Sequence, residues 1–425
     1  MTPRGGAGDT PEALRSIRRG ALIAVGVLAL VNLLNYAHRN VLQPVYDDLR
    51  LRYEFTNPEL GFIGSAYMFA HASVTLPMGW IGDRADRRRV IAAGIGLASI
   101  GAVAATFATG IVTFTFARVL TGLGTAAVVP VANSILGEAF AGKSKATAFA
   151  VFNLGLFLGG VCGFGIGQAL GFPTAFLVFA APGLVLAFAV WRLPVPPRRV
   201  ASADGAADLA EGPSVFLVQA RALLRIPALP WIIASATAMA FASGGYLAWL
   251  LDFMQTRMTH DDAIQLLGVS MVGGLAGVVV GGRVADALLR RWRHGRLIAI
   301  AIGMAMTAPC ALICIYSQPG PMLYLGSILT LFFVSWYHGP IAASVDDLAP
   351  PARAATAQSL IIFIMHLVGT APSAWIMGAV IGKGGHATET AMLVPTAMVV
   401  IAALLMVRAA TVLARSTGDT GARTL

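Results

Sequence analysis

Arg39 and Arg118 each lie inside a run of apolar residues long enough to cross a bilayer. A guanidinium at the centre of a membrane helix costs about 2.5–3.5 kcal/mol on insertion scales, so such a residue marks function by default. Their depths agree. Arg39 stands seven residues before residue 46, where the first run ends, and Arg118 seven residues after residue 111, where the fourth begins. At 1.5 Å per residue, both sit about 10 Å below the same surface. Every acidic residue falls in a loop or at the end of a run, Asp252 and Glu138 coming nearest to the interior. Two cations without acids in their runs predict an anion site, because the planar guanidinium matches phosphate and carboxylate. Asn32, Asn35, Tyr36, Arg39 and Gln43 follow helical spacing and form one polar stripe, which in a membrane helix faces a cavity. Tyr246 and Trp249, one turn apart, are candidates for the opposite wall, although packing between helices accounts for such a pair equally well.

Four histidines share these apolar runs: His38, His71, His338 and His366. His338 reads as a hydrogen bonder between helices. His38 beside Arg39, His71 near the middle of its run, and His366 are candidates for proton coupling. An anion held by the arginines favours a proton on a neighbouring imidazole and the reverse, a mutual assistance on which symport rests. Uniport and anion exchange suit the same residues. No HExxH, no GxSxG and no paired carboxylates occur in the apolar runs, so no catalytic residue and no cofactor is expected and the chain does not read as an enzyme. Cys310 and Cys314 share a helix face without a nearby His or carboxylate, and with Cys162 they read as small apolar side chains, with neither a metal site nor a disulfide.

The elements that position these residues follow from composition. At 425 residues the chain has room for nearly three soluble domains of about 150 residues. Its 57% hydrophobic and 12% charged residues and its mean hydropathy of +0.75 leave too little polar surface for water and make the bilayer its solvent. Twelve apolar runs are predicted to span, near 20–46, 58–80, 90–108, 111–137, 147–170, 174–191, 229–252, 263–281, 297–316, 321–344, 355–381 and 391–413. Of the 30 Lys and Arg, 24 fall on the side of the two termini and four on the other, which orients both termini to the cytoplasm. The net charge of +10 is then topology, and no nucleic-acid partner is needed. The predicted organisation is a disordered tail 1–19, a six-helix half 20–191, a Pro-rich cytoplasmic linker 192–228, a second half 229–413 and a tail 414–425. The first run is too long for a signal peptide. Short loops, a large excess of Arg over Lys and the absence of glycosylation sequons point to a bacterial inner membrane.

The halves repeat. Gly79-Trp80-Ile81-Gly82-Asp83-Arg84-Ala85-Asp86-Arg87-Arg88-Arg89 follows the second run, and Gly281-Gly282-Arg283-Val284-Ala285-Asp286 follows the eighth, with Asp83 and Asp286 203 residues apart. Ala146-Thr147-Ala148 and Ala355-Thr356-Ala357 repeat at an offset of 209. A duplicated six-helix unit predicts an all-α membrane protein of twelve helices in two pseudo-symmetric halves, and the sequence resembles the major facilitator superfamily over nearly its whole length. Small residues in the repeated motif allow close helix approach. Asp83, Arg84, Arg87 and Asp286 are expected to form a cytoplasmic gate. The glycines at 155, 159, 160, 163 and 167 read as packing.

Three segments are similar to the Spinster family: Asn35-Tyr36-Ala37-His38-Arg39, Arg118-Val119-Leu120-Thr121-Gly122-Leu123-Gly124-Thr125-Ala126, and His366-Leu367-Val368-Gly369-Thr370-Ala371-Pro372-Ser373. The resemblance implies a carrier of lysophospholipids or sphingolipid phosphates. The family usually has acids where His38, Thr125 and Thr370 stand, so the resemblance does not carry carboxylate-based proton coupling to this chain. The expected function is secondary transport of an anionic amphiphile by alternating access, by a monomer among membrane lipids, with protons as a candidate co-substrate. A carrier of small organic anions such as sugar acids is the alternative, and a drug exporter ranks third.

Overall fold

The computed structural model describes residues 11–139, 143–193, 218, 220–350, 354–382 and 385–416, and every regular element among them is a helix. In chain order these are α1 (Pro11–Asn40), α2 (Tyr46–Tyr53), α3 (Asn57–Arg84), α4 (Arg87–Thr106), α5 (Ile111–Thr125), α6 (Val128–Ala139), α7 (Lys143–Leu170) and α8 (Thr174–Trp191). The chain continues with α9 (Leu229–Met254), α10 (His260–Arg291), α11 (Gly295–Tyr316), α12 (Pro321–Val334), α13 (His338–Leu348), α14 (Ala354–Ile364), a π-helical turn (Met365–Thr370), α15 (Ala371–Ile381) and α16 (Glu389–Ser416). They make twelve passages, because α5 with α6, α12 with α13, and α14 through α15 each make one. Eleven passages have the length and hydropathy of a membrane span. The twelfth, α3, is long enough, but Ser65, His71, Ser73 and Thr75 dilute its apolar content.

Two expected spans are broken, each at one repeat position. The chain leaves helix after Thr125 and re-enters at Val128, and it does the same after Val334 and at His338. Pro130 and Pro340 stand four residues beyond Ala126 and Trp336 and cannot donate to those carbonyls, so the ladder is interrupted there. The first span ends earlier than its hydropathy predicts, at Asn40 instead of residue 46, and Gln43 begins a short 3-10 turn containing Pro44.

The described residues fall into two compact units, one within 1–55 and 70–203, the other within 56–69 and 204–425. In the first, α1 packs along α7, and α4 packs against α5 and α8. Glycine makes the first contact possible. A Cβ on Gly155 would lie 2.7 Å from the Ala29 carbonyl oxygen and one on Gly163 2.6 Å from that of Ala37, while one on Gly159 would overlap the Leu33 carbonyl. Backbone thus meets backbone at every turn, the close approach that small residues permit between membrane helices. In the second unit α9 packs against the π turn and α16, and α12 packs on α10 and α11.

Asp86 caps α4 by accepting from the Arg88 backbone N–H at 3.0 Å and holds the Arg88 guanidinium at 3.0 Å. The Arg88 side chain keeps its carboxyl below the usual carboxylate range. Because the folded value is depressed, the cap contributes above the unfolded carboxylate range and fades as pH falls through the folded value. Asp86→Ala is expected to cost about 1 kcal/mol. Melting of the detergent-solubilised protein checks this, with a gap from wild type at neutral pH that closes in acid.

Candidate functional site

The N-terminal unit holds both membrane arginines. Arg118, on α5, is 2% exposed and donates from Nη1 to the His38 carbonyl of α1 at 2.9 Å. This bond ties α5 to the last full turn of α1, and the next residue along α1 is Arg39. The Arg39 side chain is partly exposed, and among the described residues no carboxylate pairs with it. A cation in a membrane helix that is neither packed away nor neutralised by an acid can take an anionic ligand.

The rest of the polar stripe divides. Asn32 is buried and donates to the Phe152 carbonyl of α7 at 2.9 Å, leaving its Oδ1 without a partner. Asn35 is buried with its Oδ1 also unpartnered. Tyr36 is partly exposed, like Arg39, and its carbonyl accepts from the Asn40 side chain at 2.8 Å. Gln43 is partly exposed but lies beyond the helix, on the 3-10 turn, so it does not continue the stripe in helical register.

The histidines occupy different surroundings. His38 is 1% exposed and packs edge-on against Phe179 of α8, ring centroids 6.2 Å apart. His71, on α3, is partly exposed, and its Nδ1 lies 3.0 Å from the Thr125 hydroxyl. That hydroxyl also bonds to the Gly122 carbonyl at 3.0 Å. Thr125 is the last residue of α5, directly before the break, and discontinuous helices in transporters place such polar groups near substrate. Thr125 is marked in the sequence only by the resemblance, and nothing local pairs it with His71; Pro130 is the signal that the helix opens beside it.

In the C-terminal unit, Tyr246 and Trp249 lie in the packed interior. The Tyr246 hydroxyl bonds to that of Thr396 at 2.7 Å, and the Trp249 ring N–H donates to the Ala374 carbonyl at 3.1 Å. His366 is partly exposed on the π turn, and His338 stacks on Tyr337 at 4.2 Å. Among the described residues Asp252 is the one buried carboxylate; it accepts from the His386 ring at 3.0 Å and the Ala387 N–H at 2.6 Å, holding the loop before α16. Of the four gate residues, the side chains of Asp83 and Arg84 lie outside the described residues. Arg87 is buried at the start of α4, and Asp286 pairs with Arg296 at 3.3 Å, which also pairs with Asp347.

The Major Facilitator Superfamily model matches residues 28–373. Protein spinster homolog 3 of Danio rerio is 25% identical over 398 residues, which is 88% of this chain and 79% of that protein. The sphingosine-1-phosphate transporter SPNS2 of the same fish is 22% identical over 392 residues, 85% of this chain and 76% of its own. A crystal structure of a bacterial homolog of the human lysosomal transporter Spinster, inward-facing and unoccupied, superposes with a TM-score of 0.77 at 18% identity, covering 95% of this chain and 99% of the other. That likeness shows the fold.

Proposed function

The chain belongs to the Major Facilitator Superfamily, and from that premise we propose that it carries an anionic amphiphile, a lysophospholipid or related lipid phosphate, across the membrane. As a member of that superfamily the chain is a multi-pass membrane transporter and not an enzyme, and its relatives include Spinster homologs and a sphingosine-1-phosphate transporter.

The observation that carries the finer reading is the pair Arg39 and Arg118. One is partly exposed without an acid, and the other is anchored on the carbonyl of the preceding residue. Arg39 binds the phosphate or carboxylate, Tyr36 and Asn35 flank it, and Arg118 adds positive field while holding the backbone of α1 in place. A proton joins the cycle at His71 in preference to His38. His71 is partly exposed and contacts Thr125 beside the break in α5, while His38 is packed against Phe179. Two six-helix halves rock about this site, with Asp83, Arg84, Arg87 and Asp286 at the mouth that closes on the cytoplasmic side. The basic bias of the loops supports placing both termini in the cytoplasm of a cell whose inner membrane holds the protein.

Counterflow in proteoliposomes tests this reading. Vesicles loaded with unlabelled lysophosphatidate are expected to accumulate the labelled compound, and glucuronate is expected not to compete. An inwardly directed proton gradient accelerates uptake by the wild type and leaves His71→Gln unaffected. Exchange of glucuronate with no response to lysophosphatidate would replace the lipid reading with that of a small organic-anion carrier.

A further inference from the structure

A groove of about 500 Å³ runs along the C-terminal unit between α9, the passage containing the π turn, and α16. Ile233, Ala238 and Phe241 of α9, Val368 of the π turn and Leu405 of α16 line it. It extends from Pro230 to Phe241, which is about 16 Å of helix. The hydrocarbon core of a bilayer is about 30 Å thick, so the groove covers one leaflet and stops near the midplane.

The end of the groove nearest Pro230 is basic. Arg221 and Arg225 flank Leu224, itself part of the lining, on the segment entering α9. Arg408 stands one turn beyond Leu405 on α16, and its guanidinium lies over the Trp231 ring at 5.6 Å. All three arginines are exposed, and among the described residues no carboxylate pairs with any of them. Tryptophan prefers the headgroup level, so Trp231 marks where hydrocarbon gives way to the polar interface. Along the groove the order is apolar trench, interfacial ring, exposed cations. That is the order of a phospholipid read from tail to phosphate.

We propose that this groove binds one anionic phospholipid of the surrounding bilayer, its acyl chain beside Val368 and its phosphate held by Arg221, Arg225 and Arg408. Charge complementarity selects the headgroup, since basic pockets between membrane helices hold anionic lipid heads, and the length of the trench selects a single-leaflet lipid over a partner helix, which would continue past the midplane. The site is separate from the Arg39 cluster and does not depend on which substrate is carried. It places a lipid chain against Val368 of the π turn.

Native mass spectrometry of the intact protein in detergent, with phosphatidylglycerol or phosphatidylcholine of identical chains added, tests the proposal. One phosphatidylglycerol is expected to stay bound at lipid ratios where phosphatidylcholine is lost. Retention should fall about fivefold for each arginine replaced by glutamine. Ala234→Phe fills the trench without touching a charge and should also displace the lipid, whereas Arg290→Gln, on the same basic side but away from the groove, should not. Because the three arginines are exposed, their variants are expected to remain monodisperse in size-exclusion chromatography. Equal retention of the two lipids, undiminished phosphatidylglycerol binding by the triple glutamine variant, or full binding by Ala234→Phe would each overturn it.

Discussion

Arg39→Gln is expected to lower lysophosphatidate counterflow about a hundredfold while leaving the yield of folded protein unchanged. Truncating one member of a desolvated, hydrogen-bonded charge pair costs about 2–5 kcal/mol, and a hundredfold lies inside that range. Stability is spared because Arg39 is partly exposed and no carboxylate among the described residues pairs with it, so no buried acid is orphaned by the change. Arg39→Lys should fall between the two. It keeps the charge, but an ammonium is a point donor and loses the bidentate fork that phosphate fits. Arg118→Gln should fail differently. Arg118 is 2% exposed and donates to the His38 carbonyl, so its loss opens a void between α1 and α5 and reduces folded yield before transport is measured. Wild-type counterflow by Arg39→Gln would remove the anion site from α1 altogether.

The difference between His38 and His71 shows how far spacing alone reaches. Adjacency to Arg39 made His38 a proton candidate, yet consecutive residues on a helix point roughly 100° apart. With Arg39 partly exposed, His38 is turned against Phe179. The contact that His71 makes with Thr125 joins residues 54 positions apart on different helices, and no local pattern encodes it. Tyr246 and Trp249 share a face, as their spacing requires, but which neighbour that face meets is decided by packing, and it meets Thr396 and Ala374. The twelve passages were readable because a span needs only length and apolarity. The breaks after Thr125 and Val334 were less readable, since neighbouring helices often re-satisfy the carbonyls a membrane proline frees, and hydropathy runs on unchanged through both. The end of α1 hid for the same reason: Val41 and Leu42 extend the apolar run although the helix has stopped before Pro44. The basic residues at 221, 225 and 408 were visible, but as topology signals, because only the folded chain sets them beside an apolar trench.

Gly159→Leu is expected to have the largest effect on folding of any single change in the N-terminal unit. The stripe of Gly155, Gly159 and Gly163 presses on the backbone of α1 from Ala29 to Ala37, so rotating a side chain of α1 would not relieve the contact. Overpacking a filled core costs about 1–3 kcal/mol when neighbours can adjust. Here the obstructing atom at Gly159 is the Leu33 carbonyl, so relief requires α1 and α7 to separate, and about 3 kcal/mol or more is expected. Separation would also withdraw Phe152 from Asn32 and shift the His38 carbonyl from Arg118. The residual folded fraction of Gly159→Leu should therefore transport poorly as well. Gly160→Ala provides the contrast. A Cβ there meets only the Asn40 side chain, at 3.7 Å, and Ala is the better helix former by roughly 1 kcal/mol. That variant should melt no lower than wild type. Fluorescence-detected size exclusion of the two variants side by side checks the pair. A monodisperse Gly159→Leu peak of wild-type height would mean that α1 and α7 are held apart more loosely than their backbones now lie, and that the arginines of the site owe their placement to something other than this glycine seam.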